Sequence, residues 1–407
     1  MTVAVERVAM IAMHTSPAAP PGTADAGGLN VTTLGLATEL ALRGVEVDLI
    51  TRATAGAQQS SVFPGIMLHE LEAGPGGLPK ERLPEVSDEF GEQLARLARR
   101  RGYDVLHAHY WLSGIAALPV AIELDRPLVQ SFHTLAVMKN ALAGEGQPAE
   151  PEQRLRSEMF LAHQADATVA VSSAEATVLL DDVGAPADRT WVIPPGVDTG
   201  RFSPRGPASH IAVRASLGLE PDRPLVVVAG RVQPLKGHEL AVRALAELHA
   251  LRGWAPLLVI AGEVTPGQEL FADRLRALAD ELGVGADVRF VGALGRDALA
   301  DLLSAAHLTL VPSYSETFGL VALESAACGT PVLASRVGGL PEAVQEGVSG
   351  LLLGTREPRY WATEMALLIE DDERREALGR SARTHAERFT WGAAAASLLG
   401  VYAAVRR

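Results

Sequence analysis

VIPPGVDTGRFSPRGPASH, residues 192–210, carries Pro194, Pro195, Pro204 and Pro207 among turn residues. Proline brings no backbone donor, and turn residues interrupt any regular period, so the stretch reads as an interdomain linker. On either side the same alternation runs, short β-branched strands separated by longer helical stretches. That is the pattern of a parallel sheet covered on both faces. Before the linker the strands are expected at Val8–Met13, Val45–Thr51, Val105–His109, Leu128–Phe132, Ala167–Val171 and Trp191–Ile193. The helices between them are expected at Leu29–Arg43, Pro84–Arg101 and Pro151–Gln164. After it the strands fall at Leu225–Ala229, Leu257–Ala261, Val288–Val291, Leu308–Val311, Pro331–Ala334 and Gly350–Leu353. Helices are expected there at Glu239–Leu251, Glu269–Leu282, Arg296–Ala305 and Gly319–Cys328. The fold class is therefore α/β, with two doubly wound, Rossmann-like domains facing across a cleft. The expected division is 1–200 and 201–389, with 390–407 as a helix packing back on the first domain. Open sheets of this kind bind ligands at the carboxyl ends of their strands.

The 407 residues hold 36 Lys plus Arg against 49 Asp plus Glu, a net charge of −13. Apolar residues make up 48% and charged residues 21%, a globular balance. The acidic excess argues against a nucleic-acid partner, whose phosphates call for a basic surface. A single cysteine, Cys328, excludes a disulfide framework and a cysteine zinc site. MTVAVERVAM leads into a strand without a secretory apolar region, and the longest apolar tract, Gly392–Val405, is too short to span a bilayer. These features predict a soluble, cytoplasmic protein.

Three stretches carry candidate chemistry. HTSPAAPPGTADAGGLN (14–30) is a long Gly/Pro-rich loop running into a helix N-terminus, a suitable seat for a phosphate. Gly27 and Gly28 permit close backbone approach, and an ordinary turn would need only about two to six residues. The spacing is not G-x-G-x-x-G, so the dinucleotide fingerprint of a dehydrogenase is missing. LVVVAG is followed by GRVQPLKG, where Arg231 and Lys236 form a candidate diphosphate clamp just past a strand end. VPSYSETFGLVALESAACGTPVLAS (311–335) places Glu316 in a loop and Glu324 in the following helix. A separation of about 12 Å of helical rise prevents the two from acting on one bond. The amides around Thr317–Gly319, with Glu316, instead suit one part of a ligand, and Glu324 suits ribose hydroxyls.

VLHAHYWLSG (105–114) and VQSFHTLAVMKN (129–140) end as strand tips carrying His107, His109 and His133. No H-E-x-x-H spacing and no D-x-D occurs, so no metal is indicated. Lys80 and Arg154, taken singly, read as surface charges.

Together HTSP…PGTADAGGLNV, ITRAT, HAHYWLSG, HTLAVMKN, PPGVD, GRVQPLKG and PSYSETFGLVALESAACGTPV resemble the retaining glycosyltransferase family 4, which has the GT-B architecture. The likeness covers essentially the whole chain, and the first four stretches resemble the subgroup that glycosylates an inositol phosphate to begin mycothiol synthesis. The resemblance implies UDP-N-acetylglucosamine as donor and 1L-myo-inositol 1-phosphate (D-inositol 3-phosphate) as acceptor. It implies an acceptor-binding first domain, a nucleotide-sugar-binding second domain, no cofactor beyond the UDP-sugar, and a homodimer. It assigns the donor diphosphate to Arg231 and Lys236, the ribose to Glu324, and closure over the diphosphate to Gly28. Glu316 and Thr317, Phe318, Gly319 and Leu320 would hold the transferred sugar, and Arg296 would pack on the uracil. Lys80, Tyr110, Thr134 and Arg154 would bind the acceptor phosphate, and Asn30 the inositol ring, with His14 and Thr15 beside them. His133 would lie at the reacting centre, with Arg231, Lys236 and Glu316.

The chain departs from the family's usual wording at Thr32, at Ser172 and at Glu263. A different donor or acceptor on the same scaffold, as in sucrose-phosphate-type transfer, remains an alternative. So do a nucleotide-sugar epimerase and a two-domain binding protein.

Overall fold

The computed structural model describes residues 5–22, 25–142, 149–220 and 222–406. The first sheet contains β1 (Arg7–Ile11), β2 (Glu46–Arg52), β3 (Gln58–Phe63), β4 (Ile66–Leu71), β5 (Val105–His109), β6 (Leu128–Ser131), β7 (Ala167–Ala170) and β8 (Thr190–Val192). Their spatial order is β3-β4-β2-β1-β5-β6-β7-β8. The second sheet contains β9 (Leu225–Ala229), β10 (Leu257–Ala261), β11 (Val288–Gly292), β12 (Leu308–Val311), β13 (Val332–Ser335) and β14 (Gly350–Leu353), in the order β11-β10-β9-β12-β13-β14. Every pairing is parallel except β3 with β4. Strand order reverses beside β1 in one sheet and beside β9 in the other. The loops after those two strands therefore open at the switch points where such sheets take ligands.

The central strands read as continuous apolar runs because helices cover both faces. Val8, Met10, Val226, Val227, Leu258 and Ile260 are fully buried. The β3–β4 hairpin lies outside the sequence expectation. Gln58–Ser61 is an exposed polar edge with no apolar alternation to mark it. The segment read as linker is also shorter than expected. Its last part forms the helix Pro207–Ser216, which starts with proline at a first-turn position where no donor is missed. The helix Trp111–Glu123 begins directly behind β5 and is buried on nearly all sides, so its sequence shows no amphipathic period.

The last helix, Trp391–Val405, lies against the helix Gly28–Leu42 of the first domain. Approach is close enough that a Cβ on Gly35 would come within 2.6 Å of the Trp391 ring. Tyr402 on this helix is fully buried, and its hydroxyl meets His107 Nδ1 at 2.7 Å. The chain thus crosses from the second unit back to the first, passing Val197, whose N–H donates to the Phe389 carbonyl at 2.9 Å. Among the described residues no helix is long and apolar enough to cross a membrane.

At the turn after β7, Ser172 caps the helix Ser173–Asp181 by accepting from the Glu175 N–H at 3.1 Å. The Glu175 carboxyl accepts from the Val171 N–H at 2.7 Å. It is fully buried, and burial pushes its pKa up to about 7. Since the folded pKa lies above the unfolded one, the stability contributed by the neutral acid is complete below about pH 4.5. It is lost as pH rises through 7. Glu175→Gln should therefore raise Tm more at pH 8 than at pH 5. A Tm difference independent of pH would contradict this account.

Candidate active site

A cavity of about 380 Å³ lies between the two sheets, at the carboxyl ends of β1, β5 and β6 on one side and of β9 and β12 on the other. His14 follows β1, Tyr110 follows β5 and His133 follows β6. Arg231 and Lys236 follow β9, and Glu316 follows β12. The long loop after β1 returns to this cavity through Gly27 and Gly28, which open the helix Gly28–Leu42.

On the first domain the wall is shaped by two unusual backbone positions. Tyr110 has φ 74° with ψ 154°, and His133 has φ 62°, positive-φ positions that non-glycine residues hold at a cost of about 1–3 kcal/mol each. These turns aim both side chains away from the paths of their strands and into the cleft. The Tyr110 ring has Lys80 Nζ at 5.1 Å from its centroid and Arg154 Cζ at 4.9 Å. Arg154 is 1% exposed. Its guanidinium donates to Glu158 at 2.7 Å and to the Thr134 carbonyl at 2.8 Å and hydroxyl at 3.2 Å, and it pairs with Glu150 at 3.0 Å. Arg154 thus braces Tyr110 and Thr134 from behind the cavity wall. Lys80, Tyr110, Thr134 and His14 face the cavity directly. Burial first, then the nearby cations, holds the His14 imidazole well below its usual pKa, so it is neutral.

Besides Arg154, two more of the expected acceptor residues, Asn30 and Thr15, stand apart from the wall. Asn30 is 1% exposed, and its amide is fully engaged in the loop. It accepts from the Gly27 N–H at 2.9 Å and donates to the Thr15 hydroxyl at 3.2 Å and to the Ser16 carbonyl at 2.6 Å. Asn30 and Thr15 therefore shape the glycine turn rather than face the cavity.

On the second domain, Lys236 sits in the short turn Pro234–Lys236 and meets Glu316 at 2.6 Å. Arg231 meets Asp25 at 3.3 Å, and the other oxygen of Asp25 lies 3.5 Å from Lys80. Asp25, which sequence reasoning did not single out, bridges the cations of the two domains. Its only sequence signal is its place between Gly22 and Gly27 in the loop. The helix expected from Gly319 begins at Leu320, with Gly319 as its cap at φ 104°. A Cβ there would be strained and would approach Leu340 Cδ2 to 2.6 Å, so glycine is required. Thr317, Phe318, Gly319 and Leu320 of this turn all line the cavity. The Phe318 ring itself packs in the core against Phe389, with ring centroids 5.8 Å apart. The Thr317 hydroxyl donates to the His133 carbonyl at 2.8 Å, tying the two domains at the centre.

Glu324 is 2% exposed and pairs with Arg296 at 2.6 Å. Burial raises its pKa against the pull of that guanidinium. Arg296 also lies over the Phe202 ring, with Cζ 4.5 Å from its centroid. Both still reach the cavity wall. Among the described residues no three His, Cys, Asp or Glu side chains converge to hold a metal ion.

The family model described as Glycosyltransferase Family 4 matches residues 26–201, and that described as Glycosyl transferases group 1 matches 210–385. A relative from Segniliparus rotundus, named D-inositol 3-phosphate glycosyltransferase, is 43% identical over 409 residues, covering 99% of this chain and 90% of its own. The chain belongs to glycosyltransferase family 4. A solved sucrose-phosphate synthase from Thermosynechococcus elongatus superposes with a TM-score of 0.89 at 32% identity, covering 98% of each chain. HepE of Anabaena, solved with UDP and glucose, gives a TM-score of 0.78 at 21% identity over 96% of this chain and 97% of its own, a likeness of fold. The protein is thus a glycosyltransferase of GT-B architecture.

Proposed function

We propose that the transferase moves N-acetylglucosamine from UDP-N-acetylglucosamine to D-inositol 3-phosphate with retention of configuration. One observation carries the reading. Cations approach a single cavity from both domains, Lys80 on one side and Arg231 with Lys236 on the other, and Asp25 lies between Lys80 and Arg231. A diphosphate leaving group needs one set, and a second phosphate, on the acceptor, gives the other its purpose. The name carried by the 43% identical relative supports the same acceptor.

On this reading the diphosphate sits at Arg231, Lys236 and the amides at Gly27 and Gly28, where the helix N-terminus adds its positive end. Glu324 accepts from the ribose, and the amides of 317–320 with Glu316 hold the sugar. As the bond to the diphosphate lengthens, the sugar gains oxocarbenium character and Arg231 and Lys236 stabilise the departing charge. The His133 imidazole is held by burial at about pKa 4, too weak a base to keep a proton near neutrality. The acceptor hydroxyl attacks on the face the diphosphate vacates, and a leaving phosphate oxygen takes its proton. No cofactor enters these steps.

Lys80→Ala tests the acceptor side. A hydrogen bond to a charged group contributes about 1.5–3 kcal/mol, so KM for inositol phosphate should rise about 10- to 100-fold. Turnover of unphosphorylated inositol should stay unchanged. An unaltered KM for inositol phosphate would remove Lys80 from the phosphate. The likeness to sucrose-phosphate synthase favours a second reading, a phosphorylated hexose in the same subsite.

A further inference from the structure

The β5 alternation places His107 and His109 on one face, with ring centroids 4.2 Å apart. Both His107 nitrogens are occupied, Nδ1 by the Tyr402 hydroxyl at 2.7 Å and Nε2 by the Ser131 hydroxyl at 2.9 Å. His109 turns the other way. Its Nδ1 lies 2.9 Å from Nε2 of His133, and the two rings stack at 5.2 Å and 26°. The proposed chemistry makes no use of this contact.

Two proton arrangements share the same distance. Burial keeps both rings neutral, so each carries one proton. If His133 donates, His109 must carry its proton on Nε2. That atom is buried and has no hydrogen-bond partner among the described residues. It belongs to a side chain lining a small cavity whose wall is largely Leu36, Val169, Val171, Ile193 and Leu398. An N–H confined there would lose its water without gaining an acceptor. If His109 donates from Nδ1, Nε2 keeps only a lone pair, and buried acceptors are left unpaired more readily than donors.

We infer that His109 donates its Nδ1–H to His133 Nε2 and so makes His133 present an Nδ1–H donor to the cleft. The Nδ1 of His133 has no partner among the described residues and, unlike His109 Nε2, is not sealed from solvent. The residue lines the main cavity, and its carbonyl is pinned by Thr317. His109 is thus a positioning residue that selects the tautomer of His133 and orients its ring. His133 then serves as a neutral hydrogen-bond donor to an oxygen of the sugar being transferred and not as the base that takes the acceptor's proton. The inference rests on the proposed function for the identity of that sugar, but the tautomer does not depend on it.

The test has two arms. In ligand-free enzyme carrying 15N-labelled histidine, long-range 1H–15N spectra near pH 7.5 should show His133 protonated at Nδ1 and bare at Nε2. A proton on Nε2 would overturn the inference. In steady-state assays, His109→Leu should lower kcat about 10- to 100-fold with acceptor KM within about twofold. His109→Asn, whose amide can donate from the Nδ1 position, should recover kcat to within about fivefold of wild type. Wild-type kcat in the leucine variant, or no recovery in a folded asparagine variant, would also overturn it. Absence of any transfer to inositol phosphate by the unaltered enzyme would count against the proposed function alone, and the spectra would still decide the tautomer.

Discussion

Arg231→Ala and Lys236→Ala should each lower kcat by about 100- to 1,000-fold and leave Tm within a few degrees of wild type. The activity loss follows from where charge develops. A diphosphate departing from a sugar gains negative charge in the transition state, and a cation fixed beside it is stronger there than in the ground state. The small stability effect follows from exposure. The Arg231 and Lys236 side chains keep 24% and 28% of their surface, and their partners Asp25 and Glu316 keep 37% and 19%. Partly exposed pairs of this kind contribute about 1 kcal/mol. The two carboxylates would act as counter-charges that an incoming diphosphate displaces. Activity within tenfold of wild type in either variant would remove that residue from the leaving-group role.

Arg154→Ala should damage both stability and acceptor binding. Arg154 is 1% exposed, and Glu158 beside it is equally buried. Removing one member of a buried pair leaves the other charge without compensation, a loss of about 3–5 kcal/mol. Burial already raises the Glu158 pKa against the pull of Arg154, so without the guanidinium this carboxyl should titrate still higher. Tyr110 would lose the cation behind its ring, and Thr134 would lose the donor that fixes its carbonyl. Acceptor KM should therefore rise at least tenfold. The double variant Arg154→Ala/Glu158→Gln separates the two effects. It should recover part of the lost Tm, because no uncompensated charge is left at Glu158, while acceptor KM stays high. An unchanged Tm in the single variant would contradict the buried-pair account.

Much of this architecture was legible because the signals are local. The strand β9 is a run of valines, and Arg231 and Lys236 follow it within one loop, so their place at a strand end can be read directly. Glu324 could be assigned to the helix after Glu316 from sequence distance alone. Lys80 and Arg154 could not be placed in this way. Each meets its partners across the fold, around a tyrosine far away in sequence, and only resemblance to a family brought them together. Asn30 was assigned to the inositol ring through the family resemblance alone. Its amide is instead spent on holding the glycine turn. The hairpin β3–β4 escaped notice because QQSSVF at an exposed edge has no buried face to impose a period. Asp25 and the His109–His133 contact depend on side-chain geometry that no spacing encodes.

The most direct measurement is UDP release from UDP-N-acetylglucosamine in EDTA, with inositol phosphate, with plain inositol and without acceptor. Release that depends on inositol phosphate would match a donor diphosphate and an acceptor phosphate held on opposite walls of one cavity. No release with inositol phosphate, or equal release with plain inositol, would contradict that account and return the acceptor to open question.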